Sequence, residues 1–215
     1  MAAMALELLR GRDDARVRAV LNDAAACMLK HYEPKRRIML EAAALDGSDL
    51  TASPDGRVFN PGHSIECAWF LLQALPSLAQ PQARQIALDT IEGSLEFGWD
   101  KEFGGLFYFM DIENKPMLPL EALMKLWWPI TETNYALLLA YKLTREARWL
   151  EWLEKTHAYG YSHFADPEFG EWFGYCDRRG ELTSTCKGNN YKGFFHVPRF
   201  LLMSIQLIEQ MNKGG

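Results

Sequence analysis

Two histidines of this 215-residue chain occupy positions suited to proton chemistry, each among turn glycines and aromatic side chains. His63 opens an apolar stretch with the sequence GHSIECAWFLLQAL, and Glu66 follows three residues later, on the same face of a helix. His196 stands two residues before Pro198, where another apolar stretch begins. Because an imidazole can donate or accept a proton near neutral pH, two facing histidines suit the transfer of a proton to and from a substrate.

An internal repeat gives these residues equivalent places. Residues 100–111 match residues 166–177 at a constant offset of 66, with six identities and no gap. The same offset carries Glu66 onto Glu132, and a second step reaches Pro198. Such a period is typical of stacked supersecondary units that bury their apolar faces against one another. The side chains predicted to converge on one rim are His63, Glu66, Glu132 and His196.

Apolar periodicity predicts the helices that must position this rim. Outer helices are predicted at about 13–31, 81–98 and 146–164, and inner helices at about 62–75, at 129–142 and from residue 198 onward. Ser64 is the predicted cap of the first inner helix. A loop or hairpin is expected at 36–60, and a short β-hairpin at 99–111. Because the inner helices are apolar on nearly every side, the pattern favours an αα toroid over an extended solenoid.

Several side chains near the rim could contact a sugar. Aromatic rings supply flat surfaces for stacking, although packing within a toroid explains each ring equally well. These rings are Trp69, Phe107, Trp127, Trp128, Trp172 and Tyr191. Lys187, Lys192 and Arg199 could donate to hydroxyl or carbonyl groups. His63 and Glu66 alone are a weak metal signal because no further ligand set is evident, so no metal is predicted.

Composition excludes several other classes of protein. The net charge is −5 and the basic residues are scattered, so neither a nucleic acid nor an anionic membrane is an expected partner. The four cysteines show no metal-binding or paired spacing and are predicted to be reduced thiols in a cytoplasmic protein. We expect no signal peptide and no membrane span, because no apolar stretch approaches about 20 residues.

Four motifs in order carry a family resemblance over about residues 55–205. They are GHSIE at 62–66, KLWWP at 125–129 followed by Glu132, EFGEWFGY at 168–175, and KGFFHVPR at 192–199. Together they resemble the N-acylglucosamine 2-epimerase family, also called renin-binding protein. That family has an (α/α)6 toroid of about twice this length, so the whole chain, 1–215, is expected to form one partial toroid domain similar to the C-terminal half.

The resemblance implies a reaction and a set of site residues. The family interconverts N-acetylglucosamine and N-acetylmannosamine by moving the C2 proton through an enediolate-like intermediate, with a histidine on each face of the sugar. By position, His63 and His196 match the two histidines, and Glu132 matches a carboxylate that assists at the sugar oxygens. The residues expected to bind substrate are Glu66, Trp69, Lys125, Trp128, Trp172 and Arg199.

The resemblance also sets expectations for cofactors and partners. The chemistry requires no cofactor, and ATP is implied as an allosteric activator. A homodimer in the full-length form and an interaction with renin are implied in the same way. A mannose-type aldose–ketose isomerase, a cellobiose epimerase and a non-catalytic truncated binding protein remain as alternatives. Because three helix pairs leave apolar flanks uncovered, the chain alone is expected to be marginally stable and prone to association. It is expected to be inactive because half of the pocket, including the family's arginine, is not encoded here.

Overall fold

Seven α-helices build the fold in a computed structural model that describes residues 1–213. Six of them correspond to the predicted helices, and the all-α prediction is confirmed. The helices are α1 (Ala2–Gly11), α2 (Ala15–Lys30), α3 (Pro61–Ala74), α4 (Ala83–Gly98), α5 (Trp127–Thr144), α6 (Arg148–His163) and α7 (His196–Lys213).

The helices alternate between the inside and the outside of a curved array. α3, α5 and α7 lie side by side, while α4 packs outside α3 and α6 packs outside α5. Every residue of α5 from Trp127 to Ala140 is buried, which explains why this helix is apolar on nearly all sides. The array is therefore part of an αα toroid. α1, which the sequence analysis did not predict, packs against α2 and α3.

Three short antiparallel strand pairs lie in the loops that connect the helices. β1 (Tyr32–Glu33) pairs with β2 (Ile38–Met39), β3 (Val58–Phe59) with β4 (Met110–Asp111), and β5 (Lys125–Leu126) with β6 (Tyr175–Cys176). The prediction of a hairpin within 99–111 was wrong in its pairing. Only a single bridge, between Trp99 and Leu106, forms inside that segment, and β4 pairs instead with the strand that precedes α3. These long-range pairs fix the starts of α3 and α5 at the same end of the array.

The sequence repeat corresponds to a repeated turn. Asp100 accepts hydrogen bonds from the backbone N–H groups two and three positions later, and Asp166 does the same. A single antiparallel bridge closes each turn, from Trp99 to Leu106 and from Ala165 to Trp172. The identities at the 66-residue offset therefore encode equivalent loops after two successive outer helices.

Within residues 1–213, no helix combines the length and the apolar character that crossing a membrane requires. All four cysteine side chains are free thiols in the structure. Burial raises the pKa of Cys67, on α3, to about 12, so this thiol remains protonated at neutral pH.

Candidate active site

The start of α3 presents His63 and Glu66 to one end of the helical array. Pro61 occupies the first turn, where its missing N–H costs nothing, and the Asn60 side chain accepts from the His63 backbone N–H at 3.0 Å. The prediction of Ser64 as the cap was wrong. Its hydroxyl is buried, accepts from the Met39 backbone N–H and bonds a second serine on α4, so it fastens β2 to the helix array.

His63 is paired with a carboxylate that lies outside the helices. Its Nδ1 lies 2.9 Å from Oε1 of Glu41, a loop residue shortly after β2. An ionised carboxylate can only accept, so Nδ1 carries the proton and Nε2 is the atom left for substrate. Burial lowers the pKa of His63, but the hydrogen bond and charge of Glu41 and the charge of Glu66 outweigh it, so the pKa lies above the ordinary histidine value.

His196 is paired with a carboxylate in the same manner. Its Nδ1 lies 2.7 Å from Oε1 of Glu132, which stands in the buried part of α5 and is 2% exposed. The same oxygen accepts from the Arg199 guanidinium at 2.6 Å, while Oε2 accepts from the Trp69 indole N–H at 3.0 Å. Three donors therefore engage both oxygens of Glu132, and its bonds hold His196 and Arg199 in place.

Glu66 completes a group of acidic and basic side chains at the helix mouths. Arg199 donates to Glu66 at 2.7 Å as well as to Glu132. Burial and the neighbouring charge of Glu132 raise the pKa of Glu66, and the hydrogen bond from Arg199 acts in the opposite direction. Potential ligand atoms of Glu66, Glu132 and His196 lie within 4.8 Å of one another, a spacing compatible with a metal ion. Arg199 bonds both carboxylates and offsets one of their two negative charges.

A cavity of about 620 Å³ joins the two histidines. Both imidazoles lie against the Trp128 ring, with centroid distances of 4.9 Å for His63 and 5.6 Å for His196. The volume falls within the roughly 300–1,000 Å³ of ordinary small-molecule sites. The walls combine these polar groups with aromatic rings, a composition suited to a sugar. The cavity is lined by His63, Glu66, Tyr108, Glu121, Met124, Leu126, Trp127, Trp128, Tyr175, Tyr191, Phe195 and His196.

Two residues that were expected to bind substrate lie elsewhere. Lys125 is 1% exposed and donates to Asp100 at 3.0 Å, with its ammonium group 3.9 Å from the centroid of the Phe107 ring. Trp172 is 4% exposed and stacks on Phe164 against the outer helix α6. Neither side chain lines the cavity. Their positions indicate a structural role in the loops that carry the site.

Trp69 on α3 and Arg199 on α7 were also expected to bind substrate, but they lie behind the cavity and are not part of its lining. The Trp69 indole N–H donates to Glu132, and the centroid of the Trp69 ring lies 5.2 Å from the Arg199 guanidinium carbon. Lys187 pairs with Asp166 and buried Lys192 pairs with Glu171, so both ammonium groups are occupied in loop ion pairs.

Sequence reasoning missed Glu41 and Tyr108. Glu41 lies 22 positions before His63 in a segment without periodicity, and no spacing rule connects the two residues. Tyr108 lies in the repeated segment that begins at Asp100, but only the β3–β4 pairing turns that loop towards the cavity.

Solved structures with this fold include sugar-converting enzymes. A cellobiose 2-epimerase from Spirochaeta thermophila superimposes with a TM-score of 0.79 at 21% identity, covering 98% of this chain and 51% of that one. A D-mannose isomerase matches with a TM-score of 0.64 at 15% identity, covering 95% of this chain and 69% of that one. The fold is thus that of an (α/α)6 barrel, of which the chain forms a part.

Sequence comparison then specifies the family. The N-acylglucosamine 2-epimerase profile matches residues 4–198, and the chain belongs to that family. It is 39% identical to the N-acylglucosamine 2-epimerase of Rattus norvegicus over 84% of this chain and 43% of the rat protein. The Bos taurus protein is 38% identical over 92% of this chain and 47% of its own length. The chain therefore spans somewhat less than half the length of these relatives.

Proposed function

We propose that the chain carries the proton-transfer site of an N-acylglucosamine 2-epimerase, which interconverts N-acetylglucosamine and N-acetylmannosamine. The observation that carries this proposal is the pair of carboxylate-bound imidazoles, His63 with Glu41 and His196 with Glu132, that share one cavity. In the described part of the chain, neither Nε2 has a hydrogen-bond partner. Both atoms remain available to a substrate.

Epimerisation at C2 needs two groups that exchange roles. In the open-chain sugar, the Nε2 atom of one neutral imidazole removes the C2 proton. The electron pair of the broken C–H bond forms a C1–C2 double bond, and the π electrons of the C1 carbonyl move to its oxygen, which becomes an enolate oxygen. The Nε2–H of the other, protonated imidazole then delivers a proton to the opposite face of C2, and the carbonyl re-forms. The reverse reaction uses the same two histidines in the opposite order.

Arg199 and the carboxylates bonded to it support this chemistry by orientation. Glu132 keeps His196 in the tautomer that has Nδ1–H, and Arg199 offsets part of the charge that Glu66 and Glu132 concentrate there. The similarity to mammalian N-acylglucosamine 2-epimerases supports the choice of an N-acylated amino sugar as the substrate. The aromatic walls of Trp128 and Tyr191 suit the flat, apolar faces of a hexose.

The test follows the C2 hydrogen directly. The longest natural form of the protein that contains this chain is incubated with N-acetylmannosamine in deuterated water, and exchange at C2 is monitored by proton NMR. We expect deuterium at C2 in both epimers. An aldose–ketose isomerase acting on mannose would instead deliver the solvent deuteron to C1 and form a ketose.

Variants of the two histidines assign the proton transfers. His63→Asn and His196→Asn should each lower the exchange rate about 10²-fold or more, the usual contribution of a positioned acid or base. His157→Asn, on the outer helix α6, serves as the control for histidine loss and should exchange at the normal rate. Undiminished exchange in either site variant would remove that histidine from the mechanism.

A further inference from the structure

We propose that Glu41 is a positioning residue that holds His63 as the imidazolium and directs its Nε2 into the cavity. This inference rests on the proposed function for the meaning of His63, but the Glu41–His63 contact can be tested without turnover. It assigns His63 as the proton donor of the substrate-free site, and hence as the acid in the direction of reaction that starts from this protonation state.

The geometry of the pair supports a positioning role. Both carboxylate oxygens of Glu41 lie within hydrogen-bond distance of His63 Nδ1, at 2.9 and 3.1 Å. The backbone N–H of Glu41 donates to the carbonyl of Val58, so the β3 segment that leads into α3 also holds the carboxylate. The loop after β2 and the start of α3 are thus joined twice, once through the backbone and once through this ion pair.

The charge balance differs between the two histidine–carboxylate pairs. Glu132 is bonded to the permanent cation Arg199 in addition to His196. Glu41 has no ion-pair partner other than His63 within residues 1–213. A carboxylate whose sole cationic partner is an imidazole favours the protonated imidazole, whereas Glu132 also accepts from a guanidinium, which it shares with Glu66, and makes a smaller demand. The asymmetry therefore places the resting proton on His63.

The other groups that face His63 add to the same preference. Glu66, from α3, contributes a second negative charge. From α5 the neighbour is the uncharged Trp128 ring, against which His196 from α7 also lies. The remaining titratable groups around the shared cavity are Glu121, Tyr108, Tyr175 and Tyr191.

The first arm of the experiment measures the titration of His63 itself. Proton–nitrogen NMR of the protein labelled at its five histidines, with His63→Asn for assignment, gives the midpoint and the tautomer of each ring. In the wild type, His63 should titrate above about 6.5, the free-histidine value. Glu41→Gln removes the charge and retains an acceptor, so the midpoint should fall by about one pH unit while the Nδ1–H tautomer persists. In Glu41→Ala, both the raised midpoint of His63 and its preference for the Nδ1–H tautomer should be lost.

A matched control separates a local effect from a general change of charge. Glu154→Gln removes one negative charge from an exposed position on the outer helix α6 and should leave the His63 midpoint unchanged. An unchanged His63 midpoint in Glu41→Gln, or an equal shift in Glu154→Gln, would overturn the assignment of Glu41.

The second arm measures C2 exchange against pH. Glu41→Gln should shift the alkaline limb of the profile downward by the same amount as the NMR midpoint and lower the rate about tenfold at pH 8, with KM unchanged. In Glu41→Ala the rate of C2 exchange should fall further, because no side chain then orients Nε2 of His63. Normal exchange in Glu41→Gln despite a shifted midpoint would overturn the positioning role. If the wild type titrates as expected but exchanges nothing at C2, the proposed function fails while the pair itself stands.

Discussion

Glu132 is the buried carboxylate on which the geometry of the His196 side of the site depends. Its two oxygens accept from Trp69, His196 and Arg199 while the residue is 2% exposed. Both oxygens of Glu132 are thus engaged within the protein. In the proposed reaction, we expect Glu132 to act by holding the imidazole of His196 and the guanidinium of Arg199 in place.

Substitution by the isosteric amide tests this role. Glu132→Gln retains the shape but presents one N–H₂ group where three donors converge, so one of the contacts with His196, Arg199 or Trp69 must break. We expect C2 exchange to fall roughly 10²-fold while the far-UV circular dichroism spectrum is preserved. A variant that instead loses its helical spectrum would assign Glu132 to structure alone.

The residues of the site were predictable where helical phase determined them. His63 and Glu66 lie in the first turns of α3, His196 begins α7, the helix that two steps of the repeat reach, and all three line the cavity. Glu41 was missed because its contact with His63 forms between a loop and a helix. Lys125 belongs to a family-like motif, but a motif does not show on which face a side chain emerges, and a β-strand reverses that face at every residue.

At the scale of elements, the site depends on a close approach between α3 and α5. A Cβ atom on Gly62 would lie 2.6 Å from two atoms of the Trp128 ring and 2.9 Å from Pro129. Only glycine fits where the first turns of the two helices meet. Trp128 in turn supports both imidazoles, so this contact determines the spacing of the catalytic groups.

Replacing that glycine should disturb the site more than the fold. Gly62→Ala forces Trp128 away from its position and should cost about 1–3 kcal/mol of stability, the usual range for an overpacked core. At temperatures where the variant is still folded, a loss of stability alone would leave C2 exchange almost unchanged. We expect the exchange rate to fall clearly under those conditions. Gly11→Ala is the control, because a Cβ at Gly11 would meet no neighbouring side chain or loop within 4 Å. It should leave stability in thermal melts and the rate of C2 exchange unchanged.

The loops that follow the outer helices are held by ion pairs of unequal burial. Asp100 accepts from Lys125 and from Arg178 at 3.0 Å, and the side chains of Asp100 and Lys125 are 2% and 1% exposed. Burial raises the pKa of Asp100, but the hydrogen bonds from Arg178 and Lys125 dominate and lower it to about 2. The equivalent Asp166 pairs with the more exposed Lys187.

The repeat supplies its own control for the energetic value of this pair. Asp100→Asn leaves the Lys125 ammonium buried without its counter-ion and should cost about 3–5 kcal/mol, whereas Asp166→Asn should cost much less because solvent screens its pair with Lys187. Because the folded-state pKa of Asp100 is depressed, its contribution is complete above about pH 4 and is lost as the pH falls towards 2. Urea unfolding at pH 7 and pH 3 measures the effect, and equal losses in the two variants would contradict the assignment.

The elements themselves were predictable wherever apolar periodicity was strong. α3 to α6 begin and end within a few residues of the predicted bounds, and Pro61 and Gly98 mark two of those bounds. α1 was missed because its ten residues were considered only as a candidate leader. The pairing of β4 with β3 was missed because two-residue strands carry no alternation, and the partner lies about 50 positions earlier in the chain.

At the scale of the molecule, the helices at the two ends of the array have exposed apolar faces. On α7, four aliphatic side chains are between 42% and 58% exposed, and on α1 Met4 and Leu8 are 69% and 53% exposed. The four on α7 are Leu201, Leu202, Ile205 and Ile208. A contiguous apolar face of this kind marks a surface that another chain or domain covers. A second groove, of about 400 Å³ and separate from the cavity between the histidines, lies between α1, α3 and α7.

We therefore expect the 215-residue chain alone to associate and to lack epimerase turnover, because neither its apolar ends nor its cavity is enclosed. Light scattering at micromolar concentration should give a mass above that of one chain. Leu202→Glu combined with Ile205→Glu places two charges on the α7 face and should shift the sample towards the monomer, since burying an unpaired carboxylate is costly. Leu150→Glu, on the outer helix α6, is the control and should leave the association unchanged. A wild-type chain that is monomeric, stable and active in the C2 exchange assay would refute the view that these faces require a covering partner.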